Sequence, residues 1–224
     1  MTRRNLVSLV VLLSMLCTLL VVRLNPVRAD FATSNHDWNG LSDFAAAADR
    51  TLPSLDEIEH VPLPATLALV EPGACDTADL EQLRAFVQSG GIIVLMEDWG
   101  PATGLLDAMS VDITIAGMPL RDPLHCLRDP SLPRAYPVSS NDKRYKVVLN
   151  HASWLILGER ADVLLESSFF AYGDVNGNGR YDNGEPTGPI PVAAVAPTGQ
   201  GHVIVVSDAS FILNGMLDVS NNME

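Results

Sequence analysis

Apolar residues recur at helical spacing in two segments of the first half of the chain. In segment 41–52 they fall mostly three or four residues apart, and a proline follows directly. A second helix is predicted over 76–88, with an aspartate as its N-cap and two glycines just after it. Continuous apolar runs at 66–70 and 92–96 are typical of buried strands. Strands that alternate with helices in this way indicate parallel βαβ units.

Short β-like segments dominate the second half of the chain. After a short helix at 101–109, strands are expected at 111–115, 146–149, 161–166, 191–196 and 202–207. Residues 198–201 (Thr-Gly-Gln-Gly) are a hairpin signal between the last two strands. Residues 117–142 hold several prolines and many polar side chains, so we expect an irregular surface excursion there. The whole pattern predicts an α/β three-layer sandwich with a mixed, mainly parallel sheet.

The N-terminal segment differs from the rest of the chain. Residues Asn5–Val22 are 18 uncharged, mostly apolar residues, which as a helix reach about 27 Å, enough for a bilayer core. We expect a transmembrane signal anchor here, so that residues 1–30 are anchor and linker and residues 31–224 are one extracytoplasmic domain of a single-pass membrane protein. Small residues before Asp30 leave open the alternative of cleavage near Ala29 and secretion.

The charge of the chain limits the classes of molecule that it can bind, and its cysteines limit the disulfide bonds that it can form. The chain carries 27 acidic residues against 14 lysines and arginines, a net charge of −13. Because no basic stripe is present to neutralise phosphates, nucleic acid is excluded as a partner. Cys75 and Cys126 lie outside the N-terminal segment and could pair, but two cysteines do not form a disulfide framework.

Residues 174–185 carry the sharpest chemical motif of the chain. They read DVNGNGRYDNGE and match the calcium-loop pattern D-x-[DN]-x-[DN]-G-x5-E at every specified position. The predicted Ca²⁺ ligands are side-chain oxygens and one main-chain carbonyl, from Asp174, Asn176, Asn178, Arg180 (carbonyl), Asp182 and Glu185. Prolines follow the motif, so the loop joins strands and not the two helices of an EF-hand. We expect a structural, weakly bound ion; the alternative is a solvated loop held by its own Asx-turns.

Four acidic residues come directly after predicted strands. They are Glu71, Glu97, Asp98 and Asp208. In open α/β sheets, ligands bind outside the carboxyl ends of the strands, so these acids define a candidate ligand cleft for a cation or a polar molecule. Trp38 and Trp99 are candidate walls of that cleft. The alternative is that the carboxylates only cap the turns and helices that follow.

Four segments spread over the chain share their sequence pattern with a known family. They are Ser34–Gly40 (SNHDWNG), Leu80–Leu95, Gly188–Ala194 (GPIPVAA) and Ser207–Asn214 (SDASFILN). With these segments, the chain resembles the 4350 family of domains of unknown function. The resemblance implies a membrane-anchored protein with a class I glutamine amidotransferase-like fold. Family members continue past the position of Glu224, which implies a truncation before a last helix.

The resemblance also bears on catalysis. An amidotransferase of this fold carries a nucleophilic cysteine on the turn after a strand, and here the turn 96–100 holds Asp98 at that place. A carboxylate cannot replace a thiolate and no His–Glu pair follows in register, so the resemblance implies the fold without the activity. Cys75, beside the start of a predicted helix, is an alternative nucleophile, but its neighbour Asp76 opposes a thiolate.

These observations predict a membrane-anchored, extracytoplasmic and non-catalytic domain. It is expected to bind a partner protein or a small ligand and to be stabilised by Ca²⁺. Two alternatives stay open: a hydrolase or transferase that uses the carboxylate cluster or Cys75, and an accessory subunit of a membrane transporter.

Overall fold

The computed structural model of the chain describes residues 3–24, 29–99, 102–139 and 145–223. Within these ranges the α-helices are α1 (Arg3–Leu24), α2 (Ser42–Ala47), α3 (Thr77–Gln88), α4 (Ala102–Ala108) and α5 (Asn214–Leu217), and 3-10 helices span Leu55–His60 and Ser210–Ile212. The strands are β1 (Thr66–Val70), β2 (Ile92–Met96), β3 (Ile113–Ile115), β4 (Leu120–Arg121), β5 (Cys126–Leu127), β6 (Asp129–Pro137), β7 (Val147–Val148), β8 (Leu155–Leu157), β9 (Asp162–Ser167), β10 (Tyr172–Gly173), β11 (Pro191–Thr198) and β12 (Gly201–Val206).

A mixed sheet forms the centre of the domain. Its strands follow the order β1-β2-β12-β11-β9-β6-β5, and β7 pairs with β6 beside this path. Among the strands described, β2 runs parallel to both of its neighbours, β1 and β12. All the other pairs of this sheet are antiparallel. Two further antiparallel pairs, β10–β4 and β3–β8, lie outside it.

The predicted three-layer sandwich with a mainly parallel sheet is therefore wrong. Adjacent parallel strands need a long crossover connection, usually a helix, and β1–α3–β2 is the one short unit of this kind in the part of the chain described here. Beyond α4 the chain returns in antiparallel pairs, including the hairpin predicted at 198–201. The region 117–142 is also not the expected irregular excursion, because it contains β4, β5 and the nine-residue strand β6.

The predicted transmembrane helix is also corrected. Helix α1 covers the apolar N-terminal segment, but no helix in the described ranges is long and apolar enough to cross a membrane. Polar side chains interrupt the apolar run, including Ser14 and Thr18, whose hydroxyl donates to the Ser14 carbonyl at 2.9 Å. Two positions of the predicted cleavage site, 27 and 28, lie outside the described residues.

Two apolar cores cover the two faces of the central sheet. Side chains alternate along β2, so Ile93 and Leu95 face one core while Val94 and Met96 face the other. The first core is closed by α3 and α4, and the second by α2, α5 and the 3-10 helix before α5. A third core, around the buried side chain of Trp154, lies beneath the β10–β4 pair. Ala171 and Ile190, which lie on either side of residues 174–185 in the sequence, belong to this third core.

Helix α3 begins as the sequence predicts. The Asp76 carboxylate accepts the main-chain N–H groups of Ala78 and Asp79 at 2.8 and 3.0 Å, and the Asp79 carboxylate accepts that of Asp76 at 3.2 Å. This reciprocal capping box satisfies donors that the first helical turn leaves without partners.

Two glycines differ in how much space surrounds them, one where the sheet packs against α3 and one in α4. A Cβ on Gly201 would lie 2.0 Å from the Gly91 carbonyl oxygen and 2.6 Å from that of Val87, whereas a Cβ on Gly104 in α4 would meet nothing within 4 Å. We expect Gly201→Ala to destabilise the domain by about 1–3 kcal/mol, because main-chain atoms must move. Gly104→Ala should instead stabilise it by up to about 1 kcal/mol. Urea denaturation measures both, and equal effects would contradict the packing described.

Candidate functional site

The calcium-type loop 174–185 starts directly after β10 and is framed by strand-like backbone. Strand β10 pairs with β4, and Tyr172 forms a further bridge to Thr187 on the far side of the loop. The main-chain N–H of Asp174 donates to the Pro119 carbonyl at 2.8 Å, and that of Gly173 donates to Pro186 at 2.9 Å. Both ends of the loop are thus fixed to neighbouring backbone, without flanking helices.

Asx-turns direct the first ligand side chains of the loop. The Oδ1 atoms of Asn176 and Asn178 accept the N–H groups of Asn178 and Arg180, at 3.0 and 2.8 Å. The Gly179 N–H donates to Asp174 Oδ2 at 2.9 Å. The two asparagine oxygens each retain a second lone pair, whereas Asp174 Oδ2 also accepts from Arg121 Nε. These turns are the Asx-turns expected as the alternative account of the loop, and they orient the two asparagine oxygens within it.

The two remaining carboxylates close the loop. Glu185 accepts the N–H of Val175 at 2.8 Å through Oε1 and that of Asp182 at 2.9 Å through Oε2. Asp182 Oδ2 accepts the side-chain amides of Asn176 and Asn178, each at 2.7 Å. Glu185 thus joins the beginning of the loop to its end.

Asp174 differs from the other loop carboxylates because its side chain is completely buried. Its Oδ2 atom accepts from Arg121 Nε at 2.7 Å, while its Oδ1 atom has no hydrogen-bond partner. Burial alone would raise the pKa of Asp174, but the hydrogen bonds from Arg121 and the Gly179 N–H outweigh it and lower the pKa. Asp174 is therefore a carboxylate with one buried oxygen still unsatisfied.

Acidic, histidine and cysteine side chains alone do not form a metal site in the loop 174–185. Within the described ranges, no group of three or more His, Cys, Asp or Glu side chains could hold a metal ion. An ion in this loop must therefore also be held by oxygens from the two asparagines and from the main chain of Arg180. Oxygen donors of this kind suit Ca²⁺.

The four acids predicted as a ligand cleft lie at one edge of the central sheet. Glu71 follows β1, Glu97 and Asp98 follow β2, and Asp208 follows β12. These three strands are parallel neighbours, so their carboxyl ends meet. The main-chain N–H of Glu71 donates to the Met96 carbonyl, and that of Glu97 donates to Val206.

Crowding of the acids perturbs their protonation. Burial and the nearby Glu97 carboxylate raise the pKa of Glu71 to about 6. Burial, together with the charges of Glu71 and Glu97, raises the pKa of Asp98 to about 7. Burial and the neighbouring Asp98 also raise the pKa of Asp208 well above its ordinary value. At neutral pH this cluster therefore holds less negative charge than four free carboxylates.

Most of the acid cluster is closed to solvent. Glu97, Asp98 and Asp208 are 1 %, 4 % and 0 % exposed. Asp98 accepts the Ala209 N–H and the Ser210 hydroxyl, and Asp208 accepts the N–H groups of Asn150, Ser210 and Phe211. Trp38 and Trp99, the candidate walls, are 72 % and 46 % exposed. The carboxylates of Asp98 and Asp208 thus cap residues 209–211, the segment that follows β12.

Cys75 lies at the start of α3 in an environment that disfavours a thiolate. Burial, and then the charges of Asp79 and Asp76, raise the pKa of its thiol. Cys75 and Cys126 are both free thiols, so the pairing that the sequence allowed is not formed.

An exposed aromatic cleft is the feature that the sequence patterns did not reveal. It encloses about 520 Å³ beside β6 and β9, and its most exposed aromatic side chain is Phe169, at 73 %. Its neighbour Phe170 is 50 % exposed. The sequence signal was the adjacent pair of phenylalanines, which occupy a turn.

The comparisons with known proteins place this chain in a family. The family model for the domain of unknown function DUF4350 matches residues 33–223, so the chain belongs to that family and the resemblance seen in its sequence is confirmed. No curated protein matches the chain.

Solved structures are similar in fold at low sequence identity. The mmIFT52 N-terminal domain is 15% identical over 78% of this chain and 77% of that chain, with a TM-score of 0.58. The cytoplasmic protein STM1381 from Salmonella typhimurium LT2 is 11% identical over 75% of this chain and 74% of that one, with a TM-score of 0.45. A β-galactosidase from Bacillus circulans sp. alkalophilus is 17% identical over 68% of this chain but 20% of its own length, at 0.38. The fold of this chain is thus similar to that of the IFT52 N-terminal domain, and the expected amidotransferase-like sandwich is wrong.

The acid cluster makes stability depend on pH in a defined direction. Because the pKa of Asp98 is about 7 when folded, against an ordinary 3.8, folding takes up a proton between these values. The free energy of unfolding should therefore fall as pH rises through this window. Asp98→Asn should flatten that fall and stabilise the domain at pH 8 by more than about 1 kcal/mol.

Denaturant unfolding at pH 5 and pH 8 tests this expectation. The exposed Glu81 on α3 supplies a control, since Glu81→Gln should leave the difference between the two pH values unchanged. An Asp98→Asn variant that keeps the wild-type pH dependence would show that Asp98 is not the titrating group.

Proposed function

We propose that this protein is a non-catalytic binding domain, for a small ligand or a partner protein, in which Ca²⁺ bound by residues 174–185 stabilises the fold. The observation that carries the calcium part is the buried and unsatisfied Oδ1 atom of Asp174. A buried polar atom without a partner is unfavourable, and a cation at the centre of the loop would satisfy it. The loop already directs the side-chain oxygens of Asn176 and Asn178 by Asx-turns.

The charges of the loop support weak binding. Asp174, Asp182 and Glu185 contribute three negative charges, but Arg121 already neutralises part of the charge on Asp174. Affinity in calcium loops increases with the number of charged ligands, and weak loops fall near 10⁻⁴–10⁻³ M, roughly the extracellular range. The proposal accordingly places the domain outside the cytoplasm, where calcium is abundant enough to fill such a loop.

The non-catalytic part of the proposal is supported by the burial of the candidate acids. A general acid or base must reach its substrate, whereas Asp98 and Asp208 are buried and bonded to main-chain N–H groups.

A hydrolase or transferase is the second candidate, because the pKa of Glu71 is raised to about 6 and its side chain is only partly buried. Hydrolysis that disappears in Glu71→Gln would favour that candidate.

The calcium proposal predicts a shift in thermal stability. A ligand that binds only the folded state stabilises it by RT ln(1 + [L]/Kd), which is about 1.4 kcal/mol at tenfold saturation. For a domain of this size, Tm should rise by about 3–5 °C in calcium relative to chelator. Mg²⁺ should have a smaller effect, because it demands a tighter octahedral shell.

Variants of the full chain localise the effect. Glu185→Gln should lose most of the calcium-dependent rise in Tm, since it removes the bidentate ligand, whereas Glu159→Gln, exposed and outside the loop, should keep it. Each variant is compared with itself in chelator and in calcium, so a change in its basal stability does not affect the readout. Identical melting curves in chelator and in millimolar calcium would refute the calcium part of the proposal.

Arg121 should act as a built-in competitor of calcium. Its Nε atom occupies Asp174 Oδ2 at 2.7 Å, so a metal ion must share or displace that contact. Arg121→Gln should therefore tighten calcium binding by about three- to tenfold, which corresponds to about 0.6–1.4 kcal/mol. Calorimetric titration measures the change, with Arg160→Gln as a control on another part of the surface. Weaker binding in Arg121→Gln would show that the ion pair positions Asp174 and does not compete.

A further inference from the structure

The aromatic cleft is built from side chains of separate elements that remain exposed. Its aromatic and acidic lining includes His125, Tyr136, Tyr145, Glu166, Phe169 and Phe170. Tyr145 is 51 % exposed, close to the value for Phe170. Soluble domains rarely leave several large apolar side chains exposed together unless the patch binds something.

A buried carboxylate holds the two sides of the cleft together. Asp122 is completely buried, and its Oδ1 atom accepts the N–H groups of Leu124 and His125 at 3.0 and 2.7 Å. Its Oδ2 atom accepts the hydroxyl of Ser168, which is 46 residues away in the sequence. One side chain thus fixes the turn that carries His125 and the turn that carries the two phenylalanines.

The contacts of Ser168 complete the arrangement. Its Oγ atom accepts the Phe170 N–H at 3.1 Å, and its carbonyl oxygen accepts the Ala171 N–H at 3.2 Å. A Cβ on Gly188 would lie 1.9 Å from that carbonyl oxygen, so only glycine allows this approach. The turn that presents the phenyl rings is therefore restrained from both sides.

The rings themselves are ordered relative to one another. His125 stacks on Phe170 with centroids 5.6 Å apart and an angle of 21° between planes. Phe169 stands edge-on to Phe170 at 5.9 Å and 88°. The Tyr136 hydroxyl lies 3.1 Å from His125 Nδ1. Pre-organised rings lose little side-chain entropy when a ligand binds.

The charges around the cleft indicate the class of ligand. Glu166 and Lys146 contribute one charge of each sign to the lining. Lys146 disfavours a quaternary ammonium ion, while Glu166 and the net charge of −13 disfavour an anion. A neutral ligand with an apolar face for the rings and hydroxyl groups for Glu166, Lys146 and Tyr136 fits this lining. Saccharides have this chemistry.

We propose that the cleft lined by Phe169, Phe170 and Tyr136 binds a neutral saccharide. The C–H face of a sugar ring packs on the exposed phenyl rings, and its hydroxyls hydrogen-bond to the polar groups at the rim. The proposal rests on the binding role proposed above and is independent of calcium.

Calorimetric titration of the full chain with soluble hexasaccharides tests it. Cellohexaose, maltohexaose, mannohexaose and chitohexaose serve as probes at millimolar concentration, each in calcium and in chelator. We expect at least one to bind, and Phe169→Ala to weaken that binding by about three- to tenfold, as expected for loss of one aromatic contact. Ile156→Ala removes an apolar side chain that is 56 % exposed and lies outside the cleft, and it should leave the affinity unchanged.

The same titrations contain the results that overturn the proposal. Absence of binding by all four hexasaccharides, or binding that Phe169→Ala leaves unchanged, would refute a saccharide site here. Binding of tetramethylammonium chloride without any saccharide would identify a cation site instead. Saccharide binding that persists while Ca²⁺ fails to raise Tm would contradict the calcium proposal alone, so the two failures are distinguishable.

Discussion

Buried aspartates hold the loops of this domain in place. Asp122, Asp174 and Asp208 are 0 % exposed and Asp98 is 4 % exposed, and each accepts hydrogen bonds from the main chain of another turn or of its own loop. A carboxylate in a low-dielectric interior is unfavourable unless it is paired or hydrogen-bonded. The position of each of these loops is therefore set by the need to satisfy a buried carboxylate.

The environment of one buried carboxylate favours its ionised form, whereas the environment of two others favours the protonated form. Asp174 has a cationic partner in Arg121 and a lowered pKa, so its contribution to stability is present above the ordinary pKa of 3.8 and is lost as pH falls through the folded pKa. Asp98 and Asp208 lie beside one another and have raised pKa values, so they favour the protonated fold at lower pH. The calcium-type loop and the acid cluster thus pull the pH optimum of stability in opposite directions.

Sequence patterns predicted the features of this structure that depend on local interactions. Strands β1 and β2 and the capped helix α3 follow from apolar runs and from one aspartate at the helix start. The convergence of Glu71, Asp98 and Asp208 also follows, because the strands before them are parallel neighbours. The Asx-turns of residues 174–185, which were the alternative to a bound ion, are also local and are formed.

Features that depend on distant partners could not be predicted in this way. Strand β6 contains prolines that indicate irregular structure locally, yet it pairs with β9, about thirty residues further along the chain. The alternation of its buried positions becomes visible only once that neighbour is known. The aromatic cleft depends in the same way on Asp122 and Ser168, whose contact no local pattern encodes.

The segment that follows the calcium-type loop also lines the aromatic cleft, so ligand binding at one of the two sites could change affinity at the other through this segment. Beyond Glu185 the chain passes through Gly188, whose N–H donates to Ala171 at 2.8 Å, and Pro189, which lines the cleft. The Ile190 N–H then donates to the Ser167 hydroxyl at 2.9 Å. These contacts anchor the exit segment through groups outside the loop. Energetic coupling between two sites requires a structural element that can adopt two conformations. The segment around Pro189 is anchored on both sides and therefore favours a single conformation. The cleft therefore keeps its geometry through Asp122 and Ser168, and the ion proposed for the loop would add stability without changing it.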